Sequence, residues 1–321
     1  MKKRIILTVA VATVAVLSVL IYNRASKEIA VKGCASVLEA PARLTLNQTA
    51  EPDKLKFVAV GDTAIYKEED RNTKYETAKA IVDFCDKNGC DFVFFLGDNF
   101  TDDGIKDLND PRIKDYHEKP FEGLKAPIYA ILGNHDYRGD AKKFIEYGKV
   151  NPGWIMPDFS YTLDNKFAFF SIINSNCNIF GWMNAELPQD AQKSKWKFIL
   201  SQHPIYSSGQ HGNNEYQNLL YWDWKLKDKF DVSLSGHSHL LEYLKDGQNP
   251  EQYVISGAGA DYYDAVGEKY DEKYPIDPKT EFRFWGNGFV YFQVTENQMK
   301  IEYIDKEKNI LKTVDRIKGI K

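Results

Sequence analysis

The chain has 321 residues, and setting aside a targeting segment at its start leaves about 290, room for one large domain or two modest ones. At 43% hydrophobic, 27% charged and 14% aromatic it has an ordinary globular composition, which excludes collagen-like, disordered and polytopic membrane architectures. Lys and Arg number 42 against 46 Asp and Glu, a formal charge of -4, so the broad positive field that phosphate-backbone binding requires is missing and no nucleic acid partner is expected.

Lys2, Lys3 and Arg4 precede an uncharged apolar run from Ile5 to Tyr22. Its 18 residues exceed a usual signal-peptide core and fall just short of a typical span, so residues 1–24 read as a cleaved signal peptide or an N-terminal membrane anchor. No small-x-small cleavage site follows, which favours the anchor. Three positive charges before the run, against Arg24 and Lys27 after it, place the body outside the cytoplasm, periplasmic or secreted. Cys34 follows Val31-Lys32-Gly33 in a faint lipid-attachment pattern that Lys32 and the distance from the apolar run oppose.

Cys34, Cys85, Cys90 and Cys177 are too few for a disulfide framework in a body this large, and no CxxC pair offers a zinc site. Cys85 and Cys90 flank the expected end of a helix at Gly89; they can bridge in an oxidising compartment or stay as two buried thiols.

Residues 25–54 lack periodicity and read as a linker, which puts the folded domain at 55–321. Leu55 to Val60 form a short apolar run ending in Gly61-Asp62, a buried-strand signature. Tyr75, Ala78, Ile81, Val82 and Cys85 recur at helical spacing over residues 74–88, and Asp91 to Leu96 form a second apolar run ending in Gly97-Asp98. Ala126 to Leu132 close on Gly133-Asn134-His135 in the same way. Trp196 to Leu200 lead into Gln202-His203-Pro204, and Phe230 to Leu234 into Gly236-His237-Ser238-His239. Strands alternating with helices predict a parallel sheet whose carboxyl ends gather the site. Tyr253 to Ile255, Gly288 to Val294 and Met299 to Ile304 read as an antiparallel meander, part of a second sheet that closes the core.

Five of six histidines fall at strand ends or in the loop after one, alongside Asp62, Asp98 and Asn134; His117, near Asp115 and Glu118, reads as solvent-facing. Asp and Asn oxygens mixed with imidazoles, without cysteine, suit Mn, Fe, Zn or Mg. That many ligands exceeds the need of one ion. A carboxylate can bridge two cations, and a pair about 3.5 to 4 Å apart would clamp the attacking and leaving oxygens of an in-line phosphoryl displacement. Phosphoester hydrolysis is therefore the leading chemistry.

In chain order, Gly61-Asp62, Gly97-Asp98-Asn99, Gly133-Asn134-His135-Asp136, His203 and Gly236-His237-Ser238-His239 resemble the metallophosphoesterase signature. The wording of these blocks is similar to the tartrate-resistant, purple acid phosphatase branch, from Phe57 to the C-terminus. The resemblance implies an α/β (α+β) fold, a four-layer sandwich of two mixed β-sheets flanked by helices, of the calcineurin-like metallophosphoesterase type. It implies two metal ions: Asp98 bridging both, Asp62 and His239 on the first, and Asn134, His203 and His237 on the second. It also implies that His135 and His211 orient phosphate and protonate the leaving alkoxide, with a metal-bound hydroxide as nucleophile in place of Ser or Cys.

Two positions depart from the pattern. Purple acid phosphatases follow the aspartate-asparagine-phenylalanine block with a tyrosine whose phenolate binds ferric iron; Thr101 stands there instead. A common variant of the superfamily has a histidine two residues after the first aspartate, where this chain has Ala64. The first ion is one protein ligand short, so two divalent ions or a weakly held first metal, and a colourless enzyme, are expected. Asp102, Asp103 and Tyr66 are the candidates to fill the gap.

The expected activity is that of an acid phosphatase, a dinuclear-metal phosphomonoesterase acting on small phosphorylated substrates outside the cytoplasm. Two rivals stand beside it: a pseudo-phosphatase that uses the fold for binding or anchoring, and a phosphodiesterase or nucleotidase with the same centre. The loop Ser207 to Gln210 reads as exposed. Tyr216, Tyr221, Trp222 and Trp224 have helical spacing and read as core. Asn47-Gln48-Thr49 matches a glycosylation acceptor.

Overall fold

The computed structural model describes residues 34, 40–65, 71–187, 196–246, 252–260 and 273–318. The apolar run Ile5 to Tyr22, and Tyr66, lie outside the described residues; among those described, no helix is long and apolar enough to cross a membrane.

Alternation along the strands decides the layering. In β2 (Leu55–Val60) and β3 (Phe92–Leu96), Phe57, Ala59, Phe92, Phe94 and Leu96 point into one core. Val58, Val60, Val93 and Phe95 point into another, which packs Ala78, Ile81 and Phe84 of α1 (Arg71–Asn88) and Phe144 and Tyr147 of α2 (Lys142–Val150). A sheet apolar on both faces needs cover on both. Helices supply one cover, and a second sheet supplies the other.

The first sheet has seven strands. β2, β3, β4 (Ile128–Ile131) and β5 (Trp154–Ile155) run parallel, and β13 (Gly288–Val294), β14 (Gln298–Asp305) and β15 (Ile310–Ile317) add antiparallel beyond β2. The facing sheet has eight strands, in the spatial order β1 (Ala42–Leu46), β6 (Tyr161–Asn165), β7 (Ala168–Ile172), β8 (Trp196–Ser201), β9 (Val232–Ser235), β11 (Gln252–Ser256), β10 (Leu241–Lys245) and β12 (Thr280–Phe284). Between the sheets Phe57 stacks on Phe292 at 4.6 Å and meets Phe170 and Phe198 edge-on at 5.4 and 5.7 Å. Behind the eight-stranded sheet, Ile199, Leu244 and Ile255 pack Trp182 of α3 (Ile179–Met183) and Trp222, which follows α4 (Tyr216–Tyr221). Helices, sheet, sheet and helices make the four-layer α/β sandwich that the motifs implied.

Several expectations are corrected. β8 and β9 do not extend the parallel sheet of β2 to β4; they belong to the facing one. Of the expected meander, Tyr253 to Ile255 do lie in the second sheet, as β11, but β13 and β14 join β2, because Val290, Phe292 and Val294 feed the inter-sheet core while Phe289 and Tyr291 feed the helix core, the same two-faced pattern as β2. The expected linker 25–54 contributes β1, paired in parallel with β6. The four cysteines form two bridges: Cys85–Cys90 closes the end of α1 across 5.0 Å between Cα atoms, and Cys34–Cys177 spans 143 positions of sequence at 5.7 Å. Of the aromatic cluster, Trp222 is core, whereas Tyr216 and Trp224 are 75% and 76% exposed, since a helix that turns Trp222 and Leu226 inward turns 216 and 224 outward.

His117 is not solvent-facing. The turn Ile113–Glu118 buries Ile113 and His117, one helical turn apart, and the imidazole sits edge-on to Trp154 at 5.0 Å and Phe95 at 5.7 Å. Burial, reinforced by the nearby Lys74 ammonium, lowers its pKa to about 3 from an ordinary 6.5. A depressed folded-state pKa makes the unfolded chain bind the extra proton as pH falls below 6.5, so this residue's contribution to stability is full above that value and declines toward 3. Between pH 7 and pH 5 the loss is about 2 kcal/mol. Urea unfolding at the two pH values should show the His117→Phe variant losing about that much less than the wild type; equal losses would remove His117 from the pH response.

Candidate metal centre

Strand ends from both sheets meet at one edge of the sandwich. Asp62 follows β2, Asp98 follows β3, and Asn134 and His135 follow β4; His203 follows β8, and His237 and His239 follow β9. Among the described residues six non-glycine positions have positive φ, and four of them are here: Asp62 at 54°, Asp98 at 50°, His237 at 71° and His239 at 47°. The left-handed conformation costs an L-residue about 1 kcal/mol or more, and such strain gathers at functional sites.

The Asp62 side chain is buried. Its Oδ2 accepts the His237 backbone N–H at 2.6 Å, its Oδ1 accepts from Gln202 Nε2 at 3.2 Å, and His239 Nε2 lies 3.5 Å from Oδ1. Burial first, and the charge of Asp98 second, push the Asp62 carboxyl well above the usual carboxylate range, against the pull of the His237 N–H and the Gln202 amide. Two carboxylates withdrawn from water side by side attract positive charge to the site. Asp98 Oδ1 accepts the His135 backbone N–H at 2.9 Å, and the close approach needs Gly133, where a Cβ would collide with that oxygen.

The imidazoles form a row: His203 and His237 have ring centres 4.5 Å apart, His211 stacks on His237 at 4.2 Å, and His239 lies 6.4 Å from His211. Ser175 Oγ accepts the His203 backbone N–H at 3.1 Å and stands 2.9 Å from His203 Nδ1. With Nδ1–H donating to that hydroxyl, the lone pair is at Nε2, the arrangement by which an outer partner sets a ligating histidine. Among the described residues no three His, Cys, Asp or Glu side chains already converge as a metal cage; the acidic and imidazole donors meet in pairs, and amides stand between them. The donor set fits metal ions all the same, because Asn134 Oδ1 is a buried acceptor with no hydrogen-bond partner, the state of an amide oxygen kept for a cation.

Two carboxylates brace the loops. Asp136, fully buried, accepts the backbone N–H groups of Asn99 and Phe100 at Oδ1, both at 3.0 Å, and those of Gly133 and the Asn99 side chain at Oδ2, both at 2.9 Å. It locks the loops after β3 and β4 together. Glu242 on β10 accepts the Ser207 hydroxyl and the Ser208 hydroxyl and N–H, with Thr280 on its other side. Ser207 and Ser208 are therefore buried rather than exposed as expected, and the segment leading to His211 is clamped.

The contacts above bring Asp62, His203, His211, His237 and His239 together and join Asp98 to His135, with Asn134 next to His135 in the loop after β4. Of the proposed gap-fillers, Tyr66 lies outside the described residues and the other two are engaged elsewhere. Asp102 is 68% exposed on its side chain and approaches His135 Nδ1 and Arg138, at 3.8 and 3.9 Å; Asp103 pairs with Lys106 at 3.3 Å. Thr101 is buried and donates its hydroxyl to the Ile65 carbonyl at 2.5 Å. Sequence reasoning missed Gln202, Ser175, Asp136 and Glu242; only Asp136 and Gln202, each beside an expected ligand in a quoted block, left a signal that could have been followed.

The family profile described as calcineurin-like phosphoesterase matches residues 55–241. This chain belongs to the calcineurin-like phosphoesterase family. It is 29% identical over 316 residues to tartrate-resistant acid phosphatase type 5 of Homo sapiens, covering 86% of this chain and 95% of that one, and 25% identical over 305 residues to purple acid phosphatase 3 of Arabidopsis thaliana, covering 85% and 80%. Among solved structures, the one titled GAP50, the anchor in the inner membrane complex of Plasmodium, superposes with a TM-score of 0.69 at 22% identity over 84% of this chain and 90% of that one, a likeness of fold.

The Asp136 brace can be tested. Replacing it with alanine strips the acceptor from three buried backbone N–H groups, and Asp136→Ala should lose about 3 to 5 kcal/mol of unfolding free energy in urea. A loss under about 1 kcal/mol would show that the loops hold without it.

Proposed function

We propose that this phosphoesterase is an acid phosphatase that hydrolyses small phosphomonoesters at a dinuclear metal centre outside the cytoplasm. The observation that carries the reading is the left-handed backbone at Asp62, Asp98, His237 and His239, strain collected where two sheets bring their strand ends together. Asp62 and His239 would hold one ion, Asn134, His203 and His237 the other, and Asp98 both. Two bound divalent ions supply charge neutralisation and an activated water for in-line displacement.

The rest falls to the chain. His135 and His211 flank the centre as proton donors to the departing alkoxide. Partial burial, and then Arg138, hold His135 below its ordinary pKa of 6.5, with Asp102 pulling the other way. Its protonated fraction therefore falls as pH rises through a value below 6.5, which favours acid conditions. Withdrawal from water, then the His239 and His135 imidazoles, lower His211 in the same direction. The two disulfides support an oxidising compartment, in keeping with the charge asymmetry about Ile5 to Tyr22.

Turnover of 4-nitrophenyl phosphate and of the bis-aryl diester by the purified full chain, with elemental analysis, tests the proposal. The monoester should be preferred, and Asp98→Asn should lose at least about 100-fold in kcat/KM. A diester preference would point to a phosphodiesterase, and no turnover with less than one ion bound would point to a binding or anchoring module. With Thr101 in place of the tyrosine, the metal-loaded protein should be colourless; a visible charge-transfer band contradicts this. His135→Gln should lose about 100-fold or more on an alkyl phosphate, whose poor leaving group needs a proton, and far less on 4-nitrophenyl phosphate. Equal losses on both would remove His135 from that role.

A further inference from the structure

Gln202 precedes the expected ligand His203 and has no assigned role, yet it is fully buried in the floor of the centre. While Nε2 donates to Asp62 Oδ1 at 3.2 Å, Oε1 is a buried acceptor with no hydrogen-bond partner. The surroundings are shaped to this amide. A Cβ on Gly97 would collide with Oε1, and one on Gly236 would come within 3.1 Å of Oε1 and 3.0 Å of the Leu96 carbonyl oxygen. Oε1 is thus packed against glycine backbone with its lone pairs unanswered, where an unpaired amide oxygen costs about 1 to 3 kcal/mol.

A half-turn about the last side-chain bond exchanges oxygen and nitrogen with almost no change of shape. It sets Oε1 beside Asp62 Oδ1. Two oxygens face each other at that spacing only with a proton or a cation between them, and a bound cation displaces the proton. Ligand atoms about 2.1 Å from one ion stand about 3.0 to 3.4 Å from one another; Asp62 Oδ1 has the amide terminus at 3.2 Å and His239 Nε2 at 3.5 Å. We propose that Gln202 Oε1 is the protein ligand that stands in for the absent tyrosine, completing the first ion's shell with Asp62, Asp98 and His239. The proposal rests on the dinuclear reading above. A neutral hard oxygen completes the shell without the negative charge that stabilises ferric iron, in keeping with two divalent ions.

Calorimetric titration of the metal-stripped full chain with Mn2+, checked by elemental analysis, compares the wild type with Gln202→Met and Gln202→Glu, each confirmed as folded by its unfolding temperature in chelator. The wild type should take two ions; Gln202→Met should lose one or bind it at least about tenfold more weakly. Gln202→Glu should keep both, since it offers the same oxygen with a charge. A glutamate variant that holds fewer than two ions overturns the proposal, and this variant gives that test even if the methionine variant does not fold. A methionine variant that takes two ions with wild-type affinity overturns it too while leaving the dinuclear reading intact. A wild type that takes fewer than two ions overturns that reading and the proposal with it.

Discussion

One buried carboxylate joins the two sheets. Asp62 ends the central strand of the seven-stranded sheet, and both donors to its oxygens, the His237 N–H and the Gln202 amide, follow strands of the eight-stranded sheet. Backbone stitching surrounds it: Gly61 N–H donates to Ser256 O at 2.6 Å, Gly259 N–H to Gly61 O at 3.0 Å, and the Ser256 hydroxyl to Ala59 O at 2.8 Å. Where the sheets meet here, they do so through polar groups that must be satisfied, and that requirement fixes which loops face each other.

From that junction the site follows in layers of support. The aromatic interior around Phe57 sets the separation of the sheets, Asp136 locks the loops after β3 and β4, and Glu242 clamps the segment that carries His211. Each brace is a buried charge answered by several donors, an arrangement that holds geometry even where it adds little net stability. The strained residues are then positioned before any substrate or cation arrives, which is how a site avoids reorganisation during reaction. Donors from five strand ends are brought together by a scaffold whose own packing is apolar.

What could be read from sequence was whatever has a local signature. Apolar runs ending in Gly and a polar residue located β2, β3 and β4 together with Asp62, Asp98 and Asn134, and the His-x-His block located His237 and His239. Sheet membership was not legible, because a strand buried on both faces carries no mark of its neighbour; β8 and β9 look the same in either sheet. His117 was misjudged from its charged neighbours, although Ile113, His117 and Phe121 repeat every four residues along a buried face. Cys34 and Cys177 are 143 positions apart, a spacing that specifies nothing. Ser175 and Glu242 act on the site from other parts of the chain and carry no motif, and Gln202 stands beside His203 without a mark of its own role, so only the folded chain reveals what they do.

Anomalous diffraction from crystals of the Mn-loaded full chain tests the central claim most directly. The account predicts two peaks about 3.5 to 4 Å apart, with the Asp98 carboxylate between them. A single peak, or peaks away from Asp98, would contradict it.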